Sequence, residues 1–178
     1  MTKLEATSVI REYADFVWRV LRHLGVVEAQ LEDLSQEVFL IVLRQLPLFE
    51  GRSSVRTWIF GICRNVARRA RDQGRLLREL ASAQLPERAL PATQEHELLL
   101  KQAHAELVAA LDALDPEQRA VFILYELEDV TMDEIAALQD APLTTCYSRL
   151  ASARARIEAG LRREERRAEF KSYKGGRP

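Results

Sequence analysis

The side chains in this chain with chemistry to offer are cations and flat rings rather than nucleophiles. Between Arg52 and Glu79, the residues Arg52, Arg56, Arg64, Arg68, Arg69, Arg71, Arg75 and Arg78 are opposed only by Asp72 and Glu79, while the 178-residue chain as a whole carries a formal net charge of -1. The positive density is therefore local. A cationic stripe on a near-neutral protein suits a shaped contact with phosphates better than diffuse adhesion to polyanions, although a solvated arginine face is the plainer explanation of any basic run. Placed at helical spacing, Val55, Trp58, Ile59, Ile62, Val66 and Ala70 form an apolar stripe, and Arg64, Arg68, Arg71 and Arg75 line the opposite side. Phe60 falls beside the arginine row, which predicts an exposed ring on which an unpaired base or a partner side chain stacks. Arg69 lies within the apolar sector, so the helix is expected to leave its core near Val66 to Ala70.

No catalytic constellation accompanies these groups. A Ser/His/Asp order, a phosphate-cradling glycine loop and metal-ligand spacing are all missing, so no enzyme, cofactor or metal is expected. Cys63 and Cys146 occupy apolar seams without a CxxC context and read as packing thiols. His23, His96 and His104 are scattered and take no role. No apolar run approaches the ~18 residues of a membrane span, and the N-terminus lacks a charged leader followed by a hydrophobic run. A cytoplasmic chain without membrane insertion is the expectation.

Seven Gly, six Pro and an abundance of Leu, Ala, Glu and Arg bound the chain to one or two small, mostly helical domains, and a linker-like stretch with Pro86 and Pro91 makes the expectation an all-α fold of two such domains joined by a flexible linker. Ile10, Tyr13, Ala14, Val17, Val20, Leu21 and Leu24 keep helical spacing, with Thr7 or Ser8 as N-cap and Gly25 as the stop. A second helix from about Leu31 to Leu46 buries Leu31, Leu34, Val38, Ile41 and Val42, leaving Asp33, Gln36, Glu37 and Leu40 together on an outer face. Pro47 ends it, and Ser53 or Ser54 caps the arginine-rich helix. The reading divides the chain into a domain over 1–79, a linker over 80–94 containing Pro86 and Pro91, a second domain over 95–170 and a tail over 171–178.

In the second domain Leu98, Leu99, Ala103, Leu107, Ala110, Leu111 and Leu114 carry the buried side of a helix. Asp115-Pro116-Glu117-Gln118 and Thr131-Met132-Asp133-Glu134 then place a capping side chain with a reciprocal Gln or Glu. A short helix running into Asp140-Ala141-Pro142, followed by a long helix capped by Thr144, is helix-turn-helix grammar. In the long helix Cys146, Leu150, Ala153, Ile157 and Leu161 form one seam. Thr144, Ser148, Ala151, Ser152 and Ala155 form the other side, small enough to sit deep in a major groove. Thr145, Arg149 and Arg156 flank one edge of it, and Tyr147 and Arg154 the other, offering hydrogen-bonding and cationic groups to bases and phosphates.

Taken together, these segments resemble bacterial RNA polymerase sigma factors of the extracytoplasmic-function (ECF) class, and the resemblance covers almost the whole chain. Asp33-Leu34-Ser35-Gln36-Glu37-Val38-Phe39 is similar to the family's region 2.2, Arg56 to Asn65 to its regions 2.3 and 2.4, and Asp133 to Leu150 to its region 4.2. The resemblance implies an alternative sigma factor that binds core RNA polymerase and directs initiation at promoter DNA through -10 and -35 elements. It implies core polymerase contacts at Asp33, Gln36 and Glu37, with surface solvation as the alternative reading of these residues. It implies contacts to the opened -10 strand from Trp58, Phe60, Arg64, Asn65, Arg68 and Arg71, with a purely core role open for Trp58. Reading of the -35 duplex falls to Thr145, Tyr147, Ser148, Arg149 and Ser152, with Arg154 and Arg156 on phosphates. An anti-sigma protein is the implied regulator. The sequence departs from the family where Gly commonly stands at the positions of Asp140 and Thr144 and a basic residue at that of Tyr147, which puts -35 affinity in question. Two other readings stand beside this one: a stand-alone helix-turn-helix regulator, which leaves the arginine helix unexplained, and a helical adaptor without DNA binding, which leaves the helix from Thr144 to Arg156 unexplained.

Overall fold

The computed structural model describes the backbone of residues 6–80 and 95–175 and the side chains of residues 7–74 and 103–163. Among the described residues every regular element is helical and no strand occurs. Most of the expected linker, residues 81–94, lies outside the described residues, as do the side chains of Arg75, Arg78, Leu98, Leu99 and the tail. The chain separates into two compact units, Met1–Gln102 and Ala103–Pro178.

In the first unit, helix α1 spans Ala6–His23, α2 Glu28–Gln45 and α3 Val55–Leu80, and each packs against the other two. Helix α1 begins ahead of Thr7 and Ser8, so neither is its cap. Its end is built as the pattern predicts. Gly25 adopts φ 83°, which lets the Val26 N–H reach the Leu21 carbonyl at 3.1 Å and the Gly25 N–H reach that of Arg22 at 2.9 Å, satisfying carbonyls that a helix end otherwise leaves open. The buried face of α1 is turned slightly from the expected one. Val9, Phe16, Val17, Val20, Leu21 and Leu24 are buried, whereas Ile10 and Tyr13 are half-buried and Ala14 is exposed. Phe16 also lies under the Arg56 guanidinium, 5.0 Å from the ring centroid, a cation–π contact worth about 0.5–1 kcal/mol that ties α1 to α3.

Helix α2 buries Leu31, Val38 and Val42 and half-buries Leu34 and Ile41. Pro47 sits in the single 3-10 turn Leu46–Leu48 that follows it, because a proline lacks the N–H an α-helix would need there. Ser54 is the cap of α3: its hydroxyl accepts from the Thr57 N–H at 3.3 Å, and the Thr57 hydroxyl donates back to the Ser54 carbonyl at 3.0 Å.

Helix α3 corrects one expectation. Phe60 is fully buried, with Ile59, Ile62, Cys63, Val66 and Ala67. A single docking surface would leave Phe60 at the edge of the stripe, but α3 packs on both α1 and α2, and two neighbours widen the buried arc to take in Phe60 up to the edge of the arginine row. Phe60 is therefore a packing residue with no face for a base. The helix leaves its core after Val66 and Ala67, where the position of Arg69 predicted it, and Arg69 is exposed and donates to Glu37 Oε1 at 2.9 Å.

Helix α4 spans Glu95–Asp112 and contains the boundary between Gln102 and Ala103, and within the second unit α5 spans Pro116–Phe122, α6 Met132–Gln139 and α7 Leu143–Gly175. Asp115 caps α5 through the N–H groups of Glu117 and Gln118 at 3.1 and 2.9 Å. The expected reciprocal bond from Gln118 is not made, and its Oε1 is buried without a partner. A π-helical turn, Ile123–Leu127, unforeseen in the sequence, follows α5 and leads to Asp129 at φ 50°. Thr131 and Glu134 form the predicted reciprocal box at the start of α6. Thr131→Ala is expected to lower the stability of this unit by about 1 kcal/mol, read as a lower urea midpoint of the Ala103–Pro178 unit in the full chain.

Asp140 ends α6 in the left-handed region, φ 47° and ψ 48°. The Ala141 N–H bonds the Ala136 carbonyl at 3.1 Å and the Asp140 N–H that of Ala137 at 3.4 Å. An aspartate thus performs the turn that glycine makes at lower strain. Helix α7 starts at Leu143, two residues earlier than a Thr144 cap would give, so Thr144 lies inside its first turn and is not the cap. Its seam of Cys146, Leu150, Ala153 and Ile157 is buried against α5 and α6, while Leu161 is 38 % exposed.

Candidate polymerase and nucleic-acid interfaces

The two units present three surfaces, each positioned by a different local device. On α2, Asp33, Gln36 and Leu40 are exposed and Glu37 is half-buried, as a helix packed on its opposite face requires. Leu40 stands 52 % exposed, an apolar centre with polar groups around it. Glu37 is already engaged by Arg69. That pair is exposed and contributes little to stability, about 0–1 kcal/mol, but it fixes where the Glu37 carboxylate points.

The second surface belongs to α3 and the loop before it. Arg64 is half-buried, and Asn65, Arg68 and Arg71 are exposed along one side of the helix. Trp58 is half-buried and its ring meets Phe49 at a centroid distance of 4.9 Å and an interplanar angle of 37°. Phe49 is not among the six residues expected to contact the -10 strand, although it opens the loop that leads to them. The signal for more was its position between Pro47, which halts α2, and Gly51 at φ 70°, punctuation that turns the chain back toward α3. Leu48 beside it is 78 % exposed. The Arg52 guanidinium donates to Glu50 at 2.6 Å, which holds the loop's cation at its tip. The aromatic surface of this unit that retains exposure is thus Trp58 on Phe49, in place of Phe60. Cys63, inside this unit, is held well above the usual thiol range by burial and has no nucleophilic role at ordinary pH.

The third surface is the outer side of α7. Thr144, Tyr147, Ser148, Ala151, Ser152 and Ala155 are exposed, Thr145 and Arg149 are half-buried, and Arg154 and Arg156 are exposed. Leu143, 41 % exposed, extends this side by one residue that the sequence reading did not include. The arginines differ in their ties. Arg149 Nη1 donates to Gln139 Oε1 at 2.6 Å, and Arg154 Nε donates to Glu126 Oε1 at 2.7 Å. Glu126 belongs to the π-helical turn, so an element invisible in the sequence neutralises one of the predicted phosphate ligands. The helix of small side chains, the turn at Asp140 and α6 behind it form a helix-turn-helix whose second helix can enter a major groove.

Among the described residues, no cluster of His, Cys, Asp and Glu could hold a metal ion, and no helix is long and apolar enough to cross a membrane. Residues 9–76 match Sigma-70 region 2 and residues 104–157 match Sigma-70, region 4. The probable RNA polymerase sigma-C factor of Mycobacterium bovis is 31% identical over 142 residues, covering 78% of this chain and 73% of that protein. The ECF RNA polymerase sigma factor SigE of Mycolicibacterium smegmatis is 32% identical over 148 residues, covering 80% of this chain but 56% of its own length. Among solved structures, the sigma factor RpoE in complex with the anti-sigma factor NepR from Bartonella quintana aligns with a TM-score of 0.59 at 25% identity, over 86% of this chain and 96% of that one. The chain belongs to the ECF RNA polymerase sigma factors.

Proposed function

We propose that this chain is a dissociable specificity subunit, not itself an enzyme, that binds core RNA polymerase in the cytoplasm and directs initiation at promoters carrying a -10 and a -35 element. The observation that carries this reading is the presence, in one chain, of the α2 face, the Trp58–Phe49 pair and the arginines of α3, and the small-residue side of α7. Neither competing reading needs all of them. A repressor has no use for the first two surfaces, and an adaptor has none for the third.

In this reading Asp33, Gln36 and Glu37, with Leu40 between them, dock on the polymerase. Trp58 and Phe49 offer ring surface to bases that have lost their neighbours, since a base has an available π-face only when unstacked. Arg64, Asn65, Arg68 and Arg71 hold the backbone of that strand. Thr145, Tyr147, Ser148, Arg149 and Ser152 face upstream base edges, Arg156 takes a phosphate, and Arg154 does so by sharing its guanidinium with Glu126. The segment of residues 80–94 acts as the tether between the domains. Joining two weak sites on one polymerase raises the effective concentration of each, so neither module needs to bind DNA tightly alone. The complex of the relative RpoE with NepR supports an anti-sigma protein as the antagonist here.

Purified chain added to core polymerase and a promoter library is expected to yield initiation at a defined pair of motifs. Sequence-specific DNA binding without polymerase, and no initiation with it, would establish the repressor reading instead. Loss of both activities would leave the adaptor.

A further inference from the structure

Gln139 closes α6 and is half-buried behind α7. Its side-chain amide links two elements. Nε2 donates to the main-chain carbonyl of Glu117 in the first turn of α5 at 2.9 Å, and Oε1 accepts from Arg149 Nη1 at 2.6 Å. A carbonyl can only accept and a guanidinium can only donate, so the two partners together dictate which way the amide faces. Cys146 Sγ lies 3.9 Å from the same Oε1, placing the bond against the buried seam of α7.

The consequence falls on Arg149. A long cationic side chain on a helix surface normally samples many rotamers. Here Nη1 of its guanidinium is anchored by a donor–acceptor chain that begins at the backbone of α5, and the anchoring bond uses one of its five N–H groups and leaves the others for a further acceptor. An arginine reads guanine by presenting paired donors to one acceptor edge, which demands a defined plane and direction. We infer that Gln139 is a positioning residue that holds the Arg149 guanidinium for base reading and thereby sets the preference at the upstream base pair Arg149 addresses. This inference rests on the assignment of α7 to the -35 duplex. Gln139 need not touch DNA.

The test uses the full chain with core polymerase and a promoter library randomised across the upstream element, comparing Gln139→Leu, Gln139→Glu, Arg149→Ala and the double variant Gln139→Leu/Arg149→Ala. Arg149→Ala is expected to flatten preference at one base pair. Gln139→Leu should flatten the same base pair about tenfold, the equivalent of ~1.4 kcal/mol, and the double variant should be no flatter than Arg149→Ala alone. Gln139→Glu, which keeps an acceptor for Arg149 but loses the donor to the Glu117 carbonyl, should fall between Gln139→Leu and the unaltered chain. A merely structural role would lower initiation evenly over the library, because a loosened fold carries no base information. Even loss of that kind, or an unchanged preference in Gln139→Leu while Arg149→Ala alters it, would overturn the positioning role and leave the -35 assignment standing. An unchanged preference in Arg149→Ala would overturn both.

Discussion

Phe60→Ala is expected to remove roughly 3–5 kcal/mol from the stability of the N-terminal unit, the range for truncating a buried aromatic. Domains of this size hold about 5–15 kcal/mol in total, so the variant should show a large loss of the corresponding unfolding transition in urea, followed by circular dichroism. The basis is burial: Phe60 is 0 % exposed, one of the largest fully enclosed side chains among the described residues. A ring used for stacking would behave differently. Phe60→Leu keeps most of the apolar volume and is expected to cost less than about 1.5 kcal/mol, with strand opening preserved, because no base rests on this ring. A variant that melts normally yet fails to open a promoter would restore the exposed-ring reading and contradict the packing of α3 between α1 and α2.

The second large effect is on association, not folding. Leu40→Asp is expected to weaken binding to core polymerase at least about 100-fold, or ~2.7 kcal/mol, the scale of a central contact residue. It should leave the unfolding midpoint almost unchanged, since Leu40 is 52 % exposed and gives up little burial in the isolated chain. A charge there would be desolvated on docking with nothing to pair it, and Asp33 lies on the same face of α2. Asp33→Ala with Gln36→Ala should act in the same direction through lost polar contacts. Co-purification of Leu40→Asp with core polymerase at the unaltered level would remove this face from the interface.

Much of the fold was legible because its signals are local. Apolar residues at helical spacing identified α1, α2 and α3, and the outer face of α2 emerged exposed where the periodicity put it. The caps at Asp115 and Thr131 and the stop at Gly25 were legible for the same reason, since each depends on residues within one helical turn. The motif order also carried the family assignment, as the matches over residues 9–76 and 104–157 bear out. The π-helical turn was not legible, because no short pattern distinguishes Ile123–Leu127 from one more turn of α5.

By itself, then, the sequence determined an all-α chain, the helix faces, the helix-turn-helix and the family to which they belong. These follow from backbone geometry and the period of the side chains, which neighbouring residues impose on one another. Only the tertiary structure decided how wide each buried face is and which cations are already engaged. Phe60 is enclosed because α3 has two neighbours, Arg154 meets Glu126 across the sequence gap between α7 and the π-helical turn, and Arg149 is held by Gln139 from the preceding helix. A helical projection shows the direction of a side chain but not what stands opposite it, and burial and pairing are properties of what stands opposite.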